Sequence, residues 1–189
     1  MEKKMSLCLR ASMLAALAWI AAGCETTPYD RATVFYDRAK FPEKVSADLG
    51  LGAETIVQHG RCQAHVTTPG SNRGPENFCV YALTPGAVYV ATWDASLLVY
   101  RSQLIVRFDQ HEGIGYAVLF RTNQVQFFES MRVVGLTATI DDGGYVNQDA
   151  NEKMYKYISG RGVKIRETTG LISSPPRGGP VVIPVIVPR

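Results

Sequence analysis

Cysteine is scarce in this chain, with four among 189 residues and no Cys-x-x-Cys pair. That excludes a thioredoxin-type redox motif and the paired-cysteine zinc sites. Histidine is scarcer still: only His59, His65 and His111 carry a side chain whose ordinary pKa lies near neutrality. None stands in a nucleophile-elbow or zinc-protease pattern, so the sequence offers no catalytic residue and no metal ligand set. Gly113-Ile114-Gly115 lacks a third glycine and a following helix, which removes the dinucleotide fingerprint. Asp141-Asp142 lacks the regular Asp/Asn spacing of a calcium loop and, with Gly143-Gly144 behind it, reads as a turn. No cofactor is implied.

An excess of charge of one sign is also missing. The formal net charge is +3, and residues 1–23 hold Lys3, Lys4 and Arg10 against Glu2. Without them the 20 basic and 17 acidic residues fall to 17 and 16, a net of +1. Such a body has no broad electrostatic footprint for nucleic acid. After Cys24 no segment reaches 18 uncharged apolar residues, the length a spanning helix needs. With 46% hydrophobic and 20% charged residues, the composition is that of one ordinary globular domain.

What is present begins at the N-terminus. Lys3, Lys4 and Arg10 precede an uncharged run from Ala11 to Ala22, a basic region followed by an apolar one. Twelve residues of helix rise about 18 Å, short of a hydrocarbon core about 30 Å thick. Ala21-Ala22-Gly23-Cys24 follows, small residues that fit a narrow peptidase cleft. This resembles the lipobox of bacterial lipoprotein precursors. The resemblance implies that residues 1–23 are cut away and that Cys24 carries diacylglycerol. Ala21 stands where the family usually has Leu. The alternative is a plain secretory signal with Cys24 free. Glu25, in place of an Asp that would retain an enteric lipoprotein in the inner membrane, resembles the outer-membrane class. The expectation is a membrane partner reached through lipid on Cys24, with residues 24–29 as tether, 30–172 as one β-rich periplasmic domain and 173–189 as a proline-rich tail.

Cys8 falls in the signal and Cys24 takes lipid, which leaves Cys62 and Cys79. In an exported domain such a pair suggests one disulfide. The alternative is a metal site, since His59, Cys62 and His65 stand three apart. Ile56, Val57, Val66 and Thr67 around them favour a strand, on which the two histidines share one face and Cys62 lies on the other, so the three do not converge.

Asp30 predicts a helix over 31–41 that Pro42 stops. From residue 55 the pattern is β. Strands are expected over 56–66, 78–83, 87–93, 97–100, 104–108, 114–121, 124–129 and 133–140, with a type II turn at Thr84-Pro85-Gly86 and a two-residue hairpin loop at Thr122-Asn123. Asp149 and Glu152 suggest a capping box for a helix ending at Gly160, and 163–166 a further short strand. The fold expected is mainly β (α+β): an antiparallel, partly open barrel or sandwich of about seven strands, closed by one C-terminal amphipathic helix and preceded by a short N-terminal one. Over 56–160 that order of elements, with Leu83-Thr84-Pro85-Gly86-Ala87-Val88-Tyr89-Val90 as strand-turn-strand, resembles pleckstrin-homology-like and GRAM-like domains. Their basic lipid-binding residues have no counterpart here.

The tail, after Ser173-Ser174-Pro175-Pro176, alternates Pro180, Pro184 and Pro188 with β-branched residues such as Ile183 and Ile186. Proline forbids a helix, so the segment is extended. It lies along the domain's own sheet, adds a strand to a partner through Pro180, Ile183, Pro184 and Ile186, or touches the membrane. The leading functional expectation is a non-enzymatic envelope lipoprotein that binds or scaffolds through protein contacts, with an envelope protein as partner of the tail. A binder of lipid or another small apolar ligand between sheet and helix is the alternative, and a periplasmic hydrolase the third.

Overall fold

A computed structural model describes residues 35–52, 55–141 and 145–175. Cys24, the signal and tether, and Pro180, Ile183, Pro184 and Ile186 of the tail lie outside the described residues.

Helix α1 (Phe41–Leu49) precedes strands β1 (Gln58–Thr67), β2 (Glu76–Leu83), β3 (Ala87–Asp94), β4 (Val99–Arg107), β5 (Gly113–Leu119), β6 (Thr122–Phe128) and β7 (Val133–Thr139), and helix α2 (Gln148–Ser159) follows. The seven strands form one open antiparallel sheet in the order β4-β3-β2-β1-β7-β6-β5, the mainly β, partly open architecture expected. Alternation along each strand separates two faces. The inner face carries Cys62, Tyr81, Val88, Val106, Val125, Phe127 and Leu136, and α2 lays Met154 and Ile158 onto it, all fully buried. Side chains thus fill the space between sheet and helix. The outer face of β2–β4 carries Val80, Ala82, Ala87, Tyr89 and Tyr100, covered by Phe41 and Val45 of α1.

Cys62 and Cys79 are directly paired across β1 and β2, with Cα atoms 4.9 Å apart, and form a disulfide. Both are buried in the inner core. The expected bond is therefore present, and it staples the two central strands.

Several expected boundaries move. Pro42 opens α1 instead of ending a helix before it, and residues 35–40 are coil and turn. Its fixed φ suits the first helical turn, where its missing N–H would have had no partner. Gly86 does not take a positive φ, so the β2–β3 turn is not type II. The buried hydroxyl of Thr84 organises it instead, accepting from the Ala87 N–H at 3.1 Å. Residues 97–100 are not a separate strand. β4 is continuous from Val99, with a bulge at Gln103 because Val90 pairs with Leu104 but Ala91 with Ser102. Leu97 and Leu98 belong to the β3–β4 turn, pinned by Asp94 Oδ1, which accepts from the N–H groups of Ser96 and Leu97. The β5–β6 loop is Phe120-Arg121, since Leu119 pairs with Thr122. Helix α2 is capped by Asn147, whose side chain accepts from the Ala150 N–H, and Asp149 lies in the first turn. Glu152 pairs with Lys156 instead of closing a capping box.

After α2 the chain returns across the outer face as a strap. Ile165 forms a single parallel bridge with Ile114, so 163–166 is not a strand. The strap passes so close to β5 that a Cβ on Gly115 would sit 2.5 Å from Thr168 Cγ2. Buried Gln124 then grips it in both directions: its Nε2 donates to Ile172 O at 3.0 Å and its Oε1 accepts from Ile172 N at 2.9 Å. Gln126 Nε2 donates to Gly170 O at 2.7 Å. Ser173 bridges to Arg73 in the β1–β2 loop. Ordered packing therefore runs past residue 172, where composition placed the break.

Candidate functional site

The start of β1, the end of β7 and the start of α2 meet around a cleft of about 310 Å³. Arg38 reaches it from the segment before α1 and binds Asp141 bidentately, Nε to Oδ2 at 2.7 Å and Nη2 to Oδ1 at 3.0 Å. His59 stacks on Phe41, and its Nδ1 lies 2.8 Å from the Tyr36 hydroxyl. Gln58 Nε2 donates to the Tyr81 hydroxyl at 2.7 Å and to Ala150 O at 2.8 Å. Asp149 and Lys153 complete the rim.

Burial sets the protonation states here. It pushes the Tyr36 hydroxyl up to about 12, and it raises Tyr81 further. It holds His59 below the ordinary imidazole range, with the Arg38 charge acting in the same direction. Both tyrosines and His59 are therefore neutral near pH 7, while Arg38 and Asp141 cancel each other. The cleft is a set of hydrogen-bonding groups of little net charge. That chemistry suits recognition of a neutral polar group, such as a peptide backbone.

The three histidines are not brought together. His59 lines the cleft. His65 is buried on the same outer face beside Glu76, its cross-strand partner. His111 lies between the rings of Phe108 and Phe127, at 5.9 and 6.2 Å. Cys62 points to the inner face, away from both neighbouring histidines, as strand alternation predicts. Among the described residues no three metal-ligating side chains form a group.

Burial lowers all three histidine pKa values. The unfolded chain takes up protons at pH ~6.5, the folded chain only at lower pH. The stability that neutral histidines allow is thus complete above ~6.5 and is lost as pH falls below it. Thermal melts between pH 7.5 and 5 should show a falling Tm, and His65→Gln should flatten that fall. A Tm that rises on acidification would contradict this assignment.

Beside the cleft is an apolar ridge that sequence reading missed. Val118, Leu119 and Phe120, at the β5–β6 tip, are 63%, 53% and 94% exposed, and Tyr145 is 78% exposed. A groove of about 610 Å³ begins at Arg121 and Thr122, the residues that follow the ridge, is lined further by Ile140 and Tyr145, and shares Asn147 and Asp149 with the cleft. The available signal was the run Val118-Leu119-Phe120: three consecutive apolar residues cannot all face inward on a strand.

No family model matches this chain, and no curated protein does. Among solved structures it is similar to the hSac2 domain of the human phosphoinositide phosphatase Sac2, at 12% identity and a TM-score of 0.39, covering 77% of this chain and 98% of that one. A likeness at that level carries no implication for activity.

Proposed function

We propose that the protein is a bacterial envelope lipoprotein, held by lipid on Cys24 and facing the periplasm from the outer membrane, whose β-rich domain binds or scaffolds other proteins without catalysis. The carrying observation is the basic, apolar and small-residue succession ending at Ala21-Ala22-Gly23-Cys24. The Cys62–Cys79 bond supports it, because disulfides form and persist in oxidising compartments outside the cytosol. The order of strands with α2 closing the inner face supports reading the domain as pleckstrin-homology-like. The surfaces offered are the neutral polar cleft, the adjoining groove and ridge, and the tail with Pro180, Ile183, Pro184 and Ile186.

The test is Cys24→Ser, followed by growth with an alkyne-bearing fatty acid and intact-mass analysis. The parent should take up label and lose residues 1–23; the variant should be unlabelled and keep them. A variant that still appears in membranes at the mature mass would overturn the anchor. Deleting residues 180–189 should remove envelope proteins captured by crosslinking, and an unchanged set of partners would exclude the tail.

A further inference from the structure

The end of the sheet beside Phe35, the first described residue, is apolar in a way the fold does not need. Phe35 is 51% exposed, its ring centroid 4.9 Å from that of Trp93 on β3. Tyr100 on β4 pairs with Trp93 and donates its hydroxyl to Phe35 O at 2.9 Å. One residue pair further on, the β3–β4 turn presents Leu97 and Leu98, 58% and 63% exposed. Leu98 sits at φ 54°, a left-handed conformation costly for a branched side chain and suited to Gly or Asn. The tip therefore carries an unfavourable backbone and unburied apolar surface together, a combination found where function outweighs local stability. Lys44 lies over the Trp93 ring at 5.7 Å, and Arg101, paired with Asp94, flanks the turn.

Chain length supplies the occupant. Eleven residue steps separate Cys24 from Phe35, at most about 40 Å when fully extended. If Cys24 is acylated, the bilayer lies within that reach of Phe35. Trp, Phe and Leu at an exposed turn with lysine and arginine beside them suit the membrane–water interface.

We propose that the β3–β4 turn, with Leu97 and Leu98 at its tip and Trp93 and Phe35 behind it, dips into the bilayer that holds the lipid of Cys24, docking the domain in one orientation. This inference rests on the lipid anchor proposed above. The orientation has a structural consequence. β3 is two antiparallel steps from parallel partner β1, whereas β5 is three steps away on the other side, so the β3–β4 and β5–β6 turns lie at opposite ends of the sheet. Docking by Leu97 and Leu98 thus turns the Phe120 ridge and its groove away from the membrane, open to a protein partner.

The test uses the full lipidated protein in phosphatidylethanolamine–phosphatidylglycerol vesicles containing lipid brominated near the top of the acyl chain. Trp93→Phe leaves no other tryptophan once the signal, with Trp19, is gone. In that background Leu97→Trp and Phe120→Trp each give one reporter at an exposed site. Emission from position 97 should shift to the blue and be quenched by about half, as expected for an interfacial indole; position 120 should emit as in water, unquenched. Quenching at 120, at both positions or at neither overturns the docking while leaving the anchor standing, provided the protein floats with the vesicles. Position 97 shielded from acrylamide but not quenched by bromine means a protein covers the turn, which also overturns it. Protein that does not float removes the anchor and this inference with it. Leu98→Asn should raise Tm, since Asn accepts the left-handed backbone; a lower Tm would remove the argument that the fold tolerates Leu98 at a cost.

Discussion

Replacing Cys62 and Cys79 together by Ala should lower the unfolding free energy by about 3 kcal/mol and Tm by roughly 6–12 °C. The two residues are 17 apart in sequence, and the segment between them, Thr67 to Asn77, is rich in Gly, Pro and Asn. In the chain-entropy account, closing a loop of that size removes about 3 kcal/mol of freedom from the unfolded state. The bond also lies in the middle of the structure. β1 and β2 are central in the strand order, and both cysteines are excluded from solvent among Tyr81, Ala64 and Ala138 of the inner core. Loosening this pair affects β7 on one side and β3 on the other, so the loss should appear as a lower midpoint of one cooperative transition and not as fraying at an edge. Denaturant melts of oxidised, reduced and double-alanine protein measure it. A midpoint unchanged by reduction would show that the covalent tie adds nothing to the sheet. The same experiment bears on location, because a domain that loses this much stability on reduction is suited to an oxidising compartment.

Most of the sheet was legible from residue type and turn signals. β1, β2, β3 and β7 appear within two residues of the expected places because they are short runs rich in β-branched, aromatic and small apolar residues, as suits strands of which β2, β3 and β7 are buried on both faces. The misplacements occur where a tertiary contact overrides a local preference. Pro42 is compatible with either end of a helix, and only the burial of Phe41 and Val45 against the outer face decides that α1 lies after it. Thr122-Asn123 reads as a turn because Asn tolerates positive φ, yet Asn123 is buried in β6 and the left-handed conformation falls to Phe120, at φ 52°. The strap over 163–175 has no periodicity to read; its position depends on Gln124 and Gln126, whose polar side chains would suggest a solvent-facing strand surface. Of the candidate site, His59 was visible as a titratable group, and strand alternation correctly separated it from Cys62. Its neighbours Arg38, Asp141 and Lys153 come from segments up to 115 positions apart, and no local pattern relates them.

Asn151→Ala should cost about 3 kcal/mol, because it leaves several buried polar groups without partners at once. Asn151 is fully buried on the sheet-facing side of α2. Its Oδ1 accepts from the Ala138 N–H at 2.6 Å, beyond the last β6–β7 pairing. Its Nδ2 donates to Asn123 Oδ1 at 2.8 Å and lies 3.2 Å from Asn123 O. Asn123 Nδ2 in turn donates to the Tyr116 hydroxyl and to Gln148 O. This polar chain inserts into an apolar interface and fixes α2 in register over β6 and β7, where Met154 and Ile158 alone would permit sliding. Removing one member strands the others, so Asn123→Ala and the double substitution should not be additive: the pair should cost less than the sum of the singles by 0.5–3 kcal/mol, the range found for residues in one network. Hydrogen exchange at the Ala138 amide should accelerate in Asn151→Ala by more than the global loss of stability accounts for. An additive cycle with no local change in exchange would mean that apolar packing alone seats the helix. The consequence reaches the candidate site, because Asn147 and Asp149 at the start of α2 form walls of both the polar cleft and the adjoining groove. A helix that slips by one turn moves those walls about 5.4 Å, so binding at the cleft should weaken in Asn151→Ala even under conditions where the domain remains folded.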